Sequence, residues 1–164
     1  MSEKIENPLL ALAARLGAAA LARGAMIATA ESCTGGLVAG AITSIAGSSA
    51  WFERGFITYS NLAKEQQLGV APSTIERFGA VSEETAKAMA QGAIAGAAAQ
   101  WAVAVTGIAG PDGGSPDKPV GTVWFAWAGP GHLQGLRRHF DGDRAAVREA
   151  SVRVAVEGLI DRLA

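Results

Sequence analysis

The 164-residue chain alternates short, continuously apolar runs with longer segments whose apolar residues recur every three or four positions. Buried strands separated by amphipathic helices produce that pattern. Asn7 and Pro8 open the first helical segment, with Leu9, Leu12, Leu16 and Ala20 on one face and Gly24 as its stop. Residues 26–30 read as a buried strand, and a helix over about residues 35–46 follows, with Leu37, Val38, Ala41, Ile42 and Ile45 as its apolar stripe. Gly47-Ser48-Ser49 ends it. Residues 56–59 are strand-like, and Ser60 is placed to cap a short helix over 61–68 that Gly69 stops. Lys64 therefore falls one turn into a helix that follows a strand.

Residues 72–78 form another short helical segment, and Ser82-Glu83-Glu84 starts a longer one running to about Ala99, its acids near the positive end of the helix dipole. Residues 102–106 are a buried strand ending at a polar residue, and 107–116 form a turn-rich loop, long for a simple connection. Residues 120–127 are apolar on both faces, as an interior strand requires, whereas 133–140 carry Gln134, Arg137 and Arg138 and fit a more exposed strand. After Asp141-Gly142-Asp143 a final helix aligns Val152, Val156, Leu159 and Leu163. The succession predicts one three-layer α/β/α domain over residues 1–164, with no linker or internal repeat. It leaves strand order and direction open.

Composition narrows the class. A hydrophobic share of 49% against 18% charged residues, rich in alanine and glycine, requires a folded core and excludes a disordered chain. The net charge of −1 removes the basic footprint that nucleic-acid binding demands. Arg15, Arg23, Arg54, Lys64, Lys87 and Gln91 interrupt the apolar stretches before they reach the length of a membrane span, so no membrane role is expected. The single Cys33 precludes an internal disulfide, and the opening Met-Ser-Glu-Lys-Ile-Glu lacks the order of a signal peptide; a cytoplasmic location is the expectation.

The segment Ile27-Ala28-Thr29-Ala30-Glu31-Ser32-Cys33-Thr34-Gly35-Gly36 carries the candidate chemistry, because an apolar strand breaks there into a serine and two glycines where a helix is expected to begin. Ser32 is either a nucleophile or a helix cap. The N–H groups that follow, around Thr34, Gly35 and Gly36, would be unpaired helix-start donors aimed at an oxyanion or phosphate. With only His132 and His139, both on expected surface positions, a histidine-based triad fits poorly. Paired cysteines and a His-Glu-x-x-His motif are also absent, so no metal is expected.

Lysine supplies another base, since burial strips an amine of its proton and lets it activate a serine hydroxyl. Lys64 is the candidate, with Tyr59 and Thr106 as further hydroxyls; a solvated helical lysine is the competing reading. The loop that begins at Gly107 and contains Gly110 is compatible with a substrate cover or a structural turn. It lacks both the phosphate-loop and the dinucleotide fingerprints. Arg144 and Arg148, four residues apart, suit a phosphate or carboxylate, with Arg144 the candidate ligand. Ser48 is a rival nucleophile, and Ser48 and Ser49 are candidate substrate contacts.

Five separated motifs in one order then carry a resemblance. Ala30-Glu31-Ser32-Cys33-Thr34-Gly35-Gly36, Gly47-Ser48-Ser49-x-x-Phe52, Tyr59-Ser60-Asn61-x-x-Lys64, Gly79-Ala80-Val81-Ser82 and Thr106 through Gly114, followed by Lys118-Pro119-Val120-Gly121-Thr122-Val123, resemble the C-terminal domain of the competence/damage-inducible CinA proteins over nearly the whole chain. The resemblance implies a three-layer α/β/α sandwich with a mixed central sheet. It also implies a serine and lysine mechanism and, from the stand-alone domain's similarity to nicotinamide-nucleotide amidohydrolase, hydrolysis of nicotinamide mononucleotide to nicotinate mononucleotide and ammonia. The expected partner is that small-molecule substrate, with no cofactor, and the chain is expected to form a homo-oligomer. A noncatalytic pyridine-nucleotide-binding module is the alternative.

Overall fold

A computed structural model describes residues 7–164 as α1 (Pro8–Arg23), β1 (Ile27–Glu31), α2 (Leu37–Thr43), a 3-10 turn (Ser48–Ala50), β2 (Phe52–Ile57), α3 (Asn61–Leu68), α4 (Pro72–Phe78), α5 (Glu83–Gly96), β3 (Trp101–Gly107), β4 (Thr122–Gly129), β5 (His132–His139) and α6 (Arg144–Leu163). The strands form one mixed sheet in the order β2-β1-β3-β4-β5. β1 runs parallel to β2 and β3, while β4 is antiparallel to both β3 and β5. Helices cover both faces, as the alternation of elements predicts.

The two faces differ in residue size. Ile27, Val103, Val105, Val123, Phe125 and Trp127 point into a core shared with α1, α2 and α6, whereas Ala28, Ala30, Ala102, Ala104, Ala126 and Ala128 meet α5 through its Ala86, Met89, Ala90 and Ala93. Period-two alternation along each strand sorts the bulky and the small residues onto opposite faces. Alanines on both sides of the α5 contact let that helix lie close to the sheet, and a methyl group on Gly92 would sit 2.0 Å from the Leu68 carbonyl oxygen at the end of α3. The small face thus fixes where α3 can lie.

Most helix ends follow local chemistry. Asn7 Oδ1 accepts from Leu9 N–H, Ser60 and Ser82 cap α3 and α5, Asp143 caps α6, and Gly24 and Gly69 close their helices in the left-handed conformation. Several expected bounds shift. The first strand lies at Ile27–Glu31, so Glu31 is its last residue, and the second helix begins only at Leu37 and stops at Thr43. The second strand is Phe52–Ile57, upstream of the expected 56–59: it is an edge strand, and Glu53 and Arg54 hide its pattern by pairing with each other at 2.6 Å in solvent. α5 ends at Gly96, before Ala99, and β4 begins at Thr122 because residues 119–121 turn into it. Among the described residues no helix is long and apolar enough to cross a membrane.

Candidate active site

Topology collects the expected chemistry at one edge of the sheet. The parallel strands β1, β2 and β3 deliver their C-terminal ends there, carrying Ser32, residues 58–60 and Thr106-Gly107 respectively. β5 ends on the same side, where His139 pairs with Thr122 at the start of β4, and α6 therefore begins there with Arg144. The chain leaves β1 toward β2 and returns to β3 on the other flank, which makes the end of β1 a topological switch point, the usual place for a crevice in an open α/β sheet.

Ser32 stands at that point, 7% exposed, with its N–H donating to the Val105 carbonyl at 2.9 Å. Lys64, on the first turn of α3, is 1% exposed and places Nζ 3.0 Å from Ser32 Oγ. The same amine lies 3.0 Å from the Thr58 carbonyl, 3.4 Å from that of Tyr59 and 3.5 Å from that of Ser60. No carboxylate pairs with it among the described residues. Burial holds its pKa below the ordinary lysine value, against a smaller opposing influence from Cys33. A neutral amine in this cradle donates its two hydrogens to backbone carbonyls and turns its lone pair to the serine hydroxyl. The arrangement can activate an alcohol without histidine or metal.

The turn after Ser32 is braced by Glu31, a fully buried carboxylate. Its oxygens accept from Thr34 Oγ1 at 2.7 Å, Val38 N–H at 2.8 Å, Ala39 N–H at 3.0 Å and, at 3.4 Å, Thr29 Oγ1. Of the expected donors, the Gly35 N–H is taken by the Ser32 carbonyl at 3.0 Å. The Val38 and Ala39 amides at the start of α2 are held by Glu31 and are not open to a ligand. The N–H groups of Cys33, Thr34 and Gly36 have no acceptor among the described residues, and they belong to the turn, not the helix. Gly35 and Gly36 take φ of +56° and +101°, values that only glycine adopts without strain. Burial pushes the neighbouring Cys33 thiol up to about 12, so it is not a competing nucleophile.

Other expected residues reach the same edge with different partners. Tyr59 is 61% exposed and its phenol oxygen accepts from Arg144 Nη2 at 2.9 Å, while Arg144 Nη1 donates to the Gly110 carbonyl at 2.9 Å. Thr106 is buried beside Val105, but its hydroxyl donates to the Ala80 carbonyl at 2.9 Å. Gly107 closes β3, and the loop beyond it is latched by Lys118 Nζ on the Phe78 carbonyl at 2.9 Å. The Thr34 hydroxyl is taken by Glu31. Ser48 and Ser49 lie in the turn whose Trp51 carbonyl receives Ile27 N–H, at the start of β1. A strand length, about 15 Å, separates them from the Ser32 end.

Glu31 carries no role in the sequence reading, where it betrays itself only as an acid terminating an apolar run a few residues before a helix. Arg148, read there beside Arg144 as suited to a phosphate or carboxylate, instead meets backbone carbonyls. Arg148 donates from Nε to the Cys33 carbonyl at 3.1 Å and from Nη2 to that of Thr34 at 3.4 Å. It also borders a cavity of about 450 Å³ between α1, α2 and α6, which Ser32 and Lys64 do not line. Among the described residues no group of three or more His, Cys, Asp or Glu side chains is placed to hold a metal ion.

Comparison with known proteins matches this architecture throughout. The profile described as the CinA C-terminal domain matches residues 9–163. The chain is 54% identical over 154 residues to the nicotinamide-nucleotide amidohydrolase PncC of Pseudomonas putida, covering 94% of this chain and 96% of that protein. It is likewise 54% identical over 156 residues to the PncC of Escherichia coli strain K12, covering 94% of each. The crystal structure of the competence/damage inducible protein CihA from Agrobacterium tumefaciens superposes with a TM-score of 0.92 at 49% identity, over 98% of both chains. With the family profile spanning nearly every described residue and the fold reproduced in a solved relative, the chain belongs to the CinA C-terminal domain family.

Proposed function

We propose that this protein hydrolyses the carboxamide of nicotinamide mononucleotide, giving nicotinate mononucleotide and ammonia, with Ser32 as nucleophile and Lys64 as base. The observation that carries the reading is the buried Lys64 amine 3.0 Å from Ser32 Oγ, with no carboxylate partner among the described residues, in a chain 54% identical to proteins named nicotinamide-nucleotide amidohydrolase. Neutral Lys64 takes the Ser32 proton as Oγ bonds to the carboxamide carbon. The tetrahedral oxyanion then collapses, the carbon–nitrogen bond breaks, and the proton held by Lys64 leaves with ammonia. Water attacks the acyl-enzyme, gives a proton to Lys64, and the same proton returns to Ser32 as the acid product departs. Residues 1–164 act here as one amidohydrolase domain.

Arg144 and Tyr59 suit the other end of the substrate. Their paired polar groups lie at the exposed mouth, where a guanidinium and a phenol can meet ribose and phosphate while the ring carboxamide reaches Ser32. Thr106 and the Gly107 to Gly110 segment shape the adjoining wall, with the Gly110 carbonyl held by Arg144. Ser48 and Ser49 take no part at this end of the chain's own sheet. Cytoplasmic location and self-association complete the reading, and light scattering measures the latter.

Purified protein incubated with nicotinamide mononucleotide should release ammonia and the acid nucleotide in equal amounts. Ser32→Ala should lose turnover by about 10³-fold or more, and Ser48→Ala should keep it. Tight binding without ammonia release would instead identify a sensing module, and full turnover in a folded Ser32→Ala protein would remove Ser32 as nucleophile.

A further inference from the structure

The proposed nucleophile and base lie on one side of the sheet, yet the peptide after Ser32 is held from the other. Ala28 and Ala30 face the α5 core and Ile27 the α6 core; continuing the alternation, Ser32 reaches Lys64 of α3 while Cys33 is buried with α1, α2 and α6. Arg148 approaches from α6 and donates to the Cys33 carbonyl at 3.1 Å and the Thr34 carbonyl at 3.4 Å. A trans peptide points its carbonyl and N–H in opposite directions. With the Cys33 carbonyl turned to α6, the Thr34 N–H of the same peptide turns away from α6, toward the side that holds Ser32 Oγ and Lys64.

Three further observations agree. The Thr34 N–H has no acceptor among the described residues, although Thr34 is fully buried. Arg148 makes no salt bridge to a carboxylate among the described residues, so its charge is directed at these two carbonyls. Glu31 holds the Thr34 hydroxyl at the same time, so an acid and a base fix one turn through different groups.

We propose that Arg148 is a positioning residue for catalysis: by holding and polarising the Cys33–Thr34 peptide, it presents the Thr34 N–H as the donor for the oxyanion formed when Ser32 attacks. Arg148 touches no reacting atom and acts through that peptide. This rests on the assignment of Ser32 as nucleophile. A misaligned oxyanion donor costs rate without weakening substrate binding, since the interaction exists only in the transition state.

The test separates this role from phosphate recognition. Arg148→Met should lower kcat for nicotinamide mononucleotide by roughly 10- to 100-fold and leave KM within about threefold. Arg148→Lys, which retains a donor for one carbonyl, should recover part of the loss and preserves a folded protein if the methionine variant melts early. A fluorophosphonate probe without ribose or phosphate supplies a second readout: Ser32 Oγ bonds to phosphorus, fluoride leaves and Lys64 takes the serine proton. Labelling of Ser32, followed by mass, should slow in Arg148→Met and again recover in Arg148→Lys. A raised KM with unchanged kcat, or labelling as fast as in the wild type, would overturn the inference. If the wild-type protein is not labelled at Ser32 and Ser32→Ala still turns over, the nucleophile assignment itself fails.

Discussion

At the residue scale, one buried amine links the proposed chemistry to stability. Desolvation lowers the Lys64 pKa in the folded protein, so the unfolded chain binds more protons than the native one between the lowered value and the ordinary lysine value. Stability therefore rises with pH across that window. Lys64→Met should flatten the rise, measured by urea unfolding at a series of pH values, and should reduce turnover by about 10²- to 10⁴-fold. The comparison is best read below pH 9, because Cys33, raised from 9.0 to about 12, gives a fall in stability at higher pH that opposes the lysine. In the wild type, activity should climb as pH passes upward through the lowered Lys64 pKa; a pH–rate profile with no rise at any pH below the ordinary lysine value would argue against a lysine base. Ser32 and Lys64 were each readable as candidates from strand and helix punctuation, but 32 positions of chain separate them. Their 3.0 Å contact depends on where two helices and a strand come to rest.

At the element scale, the small residues between α5 and its neighbours set the position of that contact. α3 packs on α5, and the Leu68 carbonyl at the end of α3 lies where a methyl group on Gly92 would have to go. Gly92→Ala should displace α3, cost about 1–3 kcal/mol of stability, and lower turnover through the shifted Lys64 amine. Thermal unfolding and steady-state rates measure the two effects; unchanged rates would show that α3 tolerates the push. The apolar stripes of α1 and α6 were legible because each buries a single face, and β3 because both its faces are covered. β2 was misplaced for the opposite reason, since a half-exposed edge strand carries charges that break the pattern. α2 was drawn too long because its first residues look helical by spacing, whereas two positive-φ glycines and the Glu31 carboxylate delay its start to Leu37.

At the scale of the whole molecule, one sheet spans from β2 to β5 and helices on both faces share it. The proposed single domain should unfold in one transition, with calorimetric and van't Hoff enthalpies equal; two resolved transitions would divide the chain into separate units. Hydrophobic periodicity alone was enough to establish alternating strands and helices, because burial imposes a period of two on a strand and of 3.6 on a helix whatever their partners are. The ordered motifs carried the family, since they preserve local turns and caps that depend on few neighbours. Strand order, the opposite-face grip of Arg148, the diversion of Thr106 to Ala80 and the distance of Ser48 from Lys64 were decided only in three dimensions. They depend on contacts between residues far apart in the chain, and no local spacing encodes which strand ends meet at one edge of a sheet.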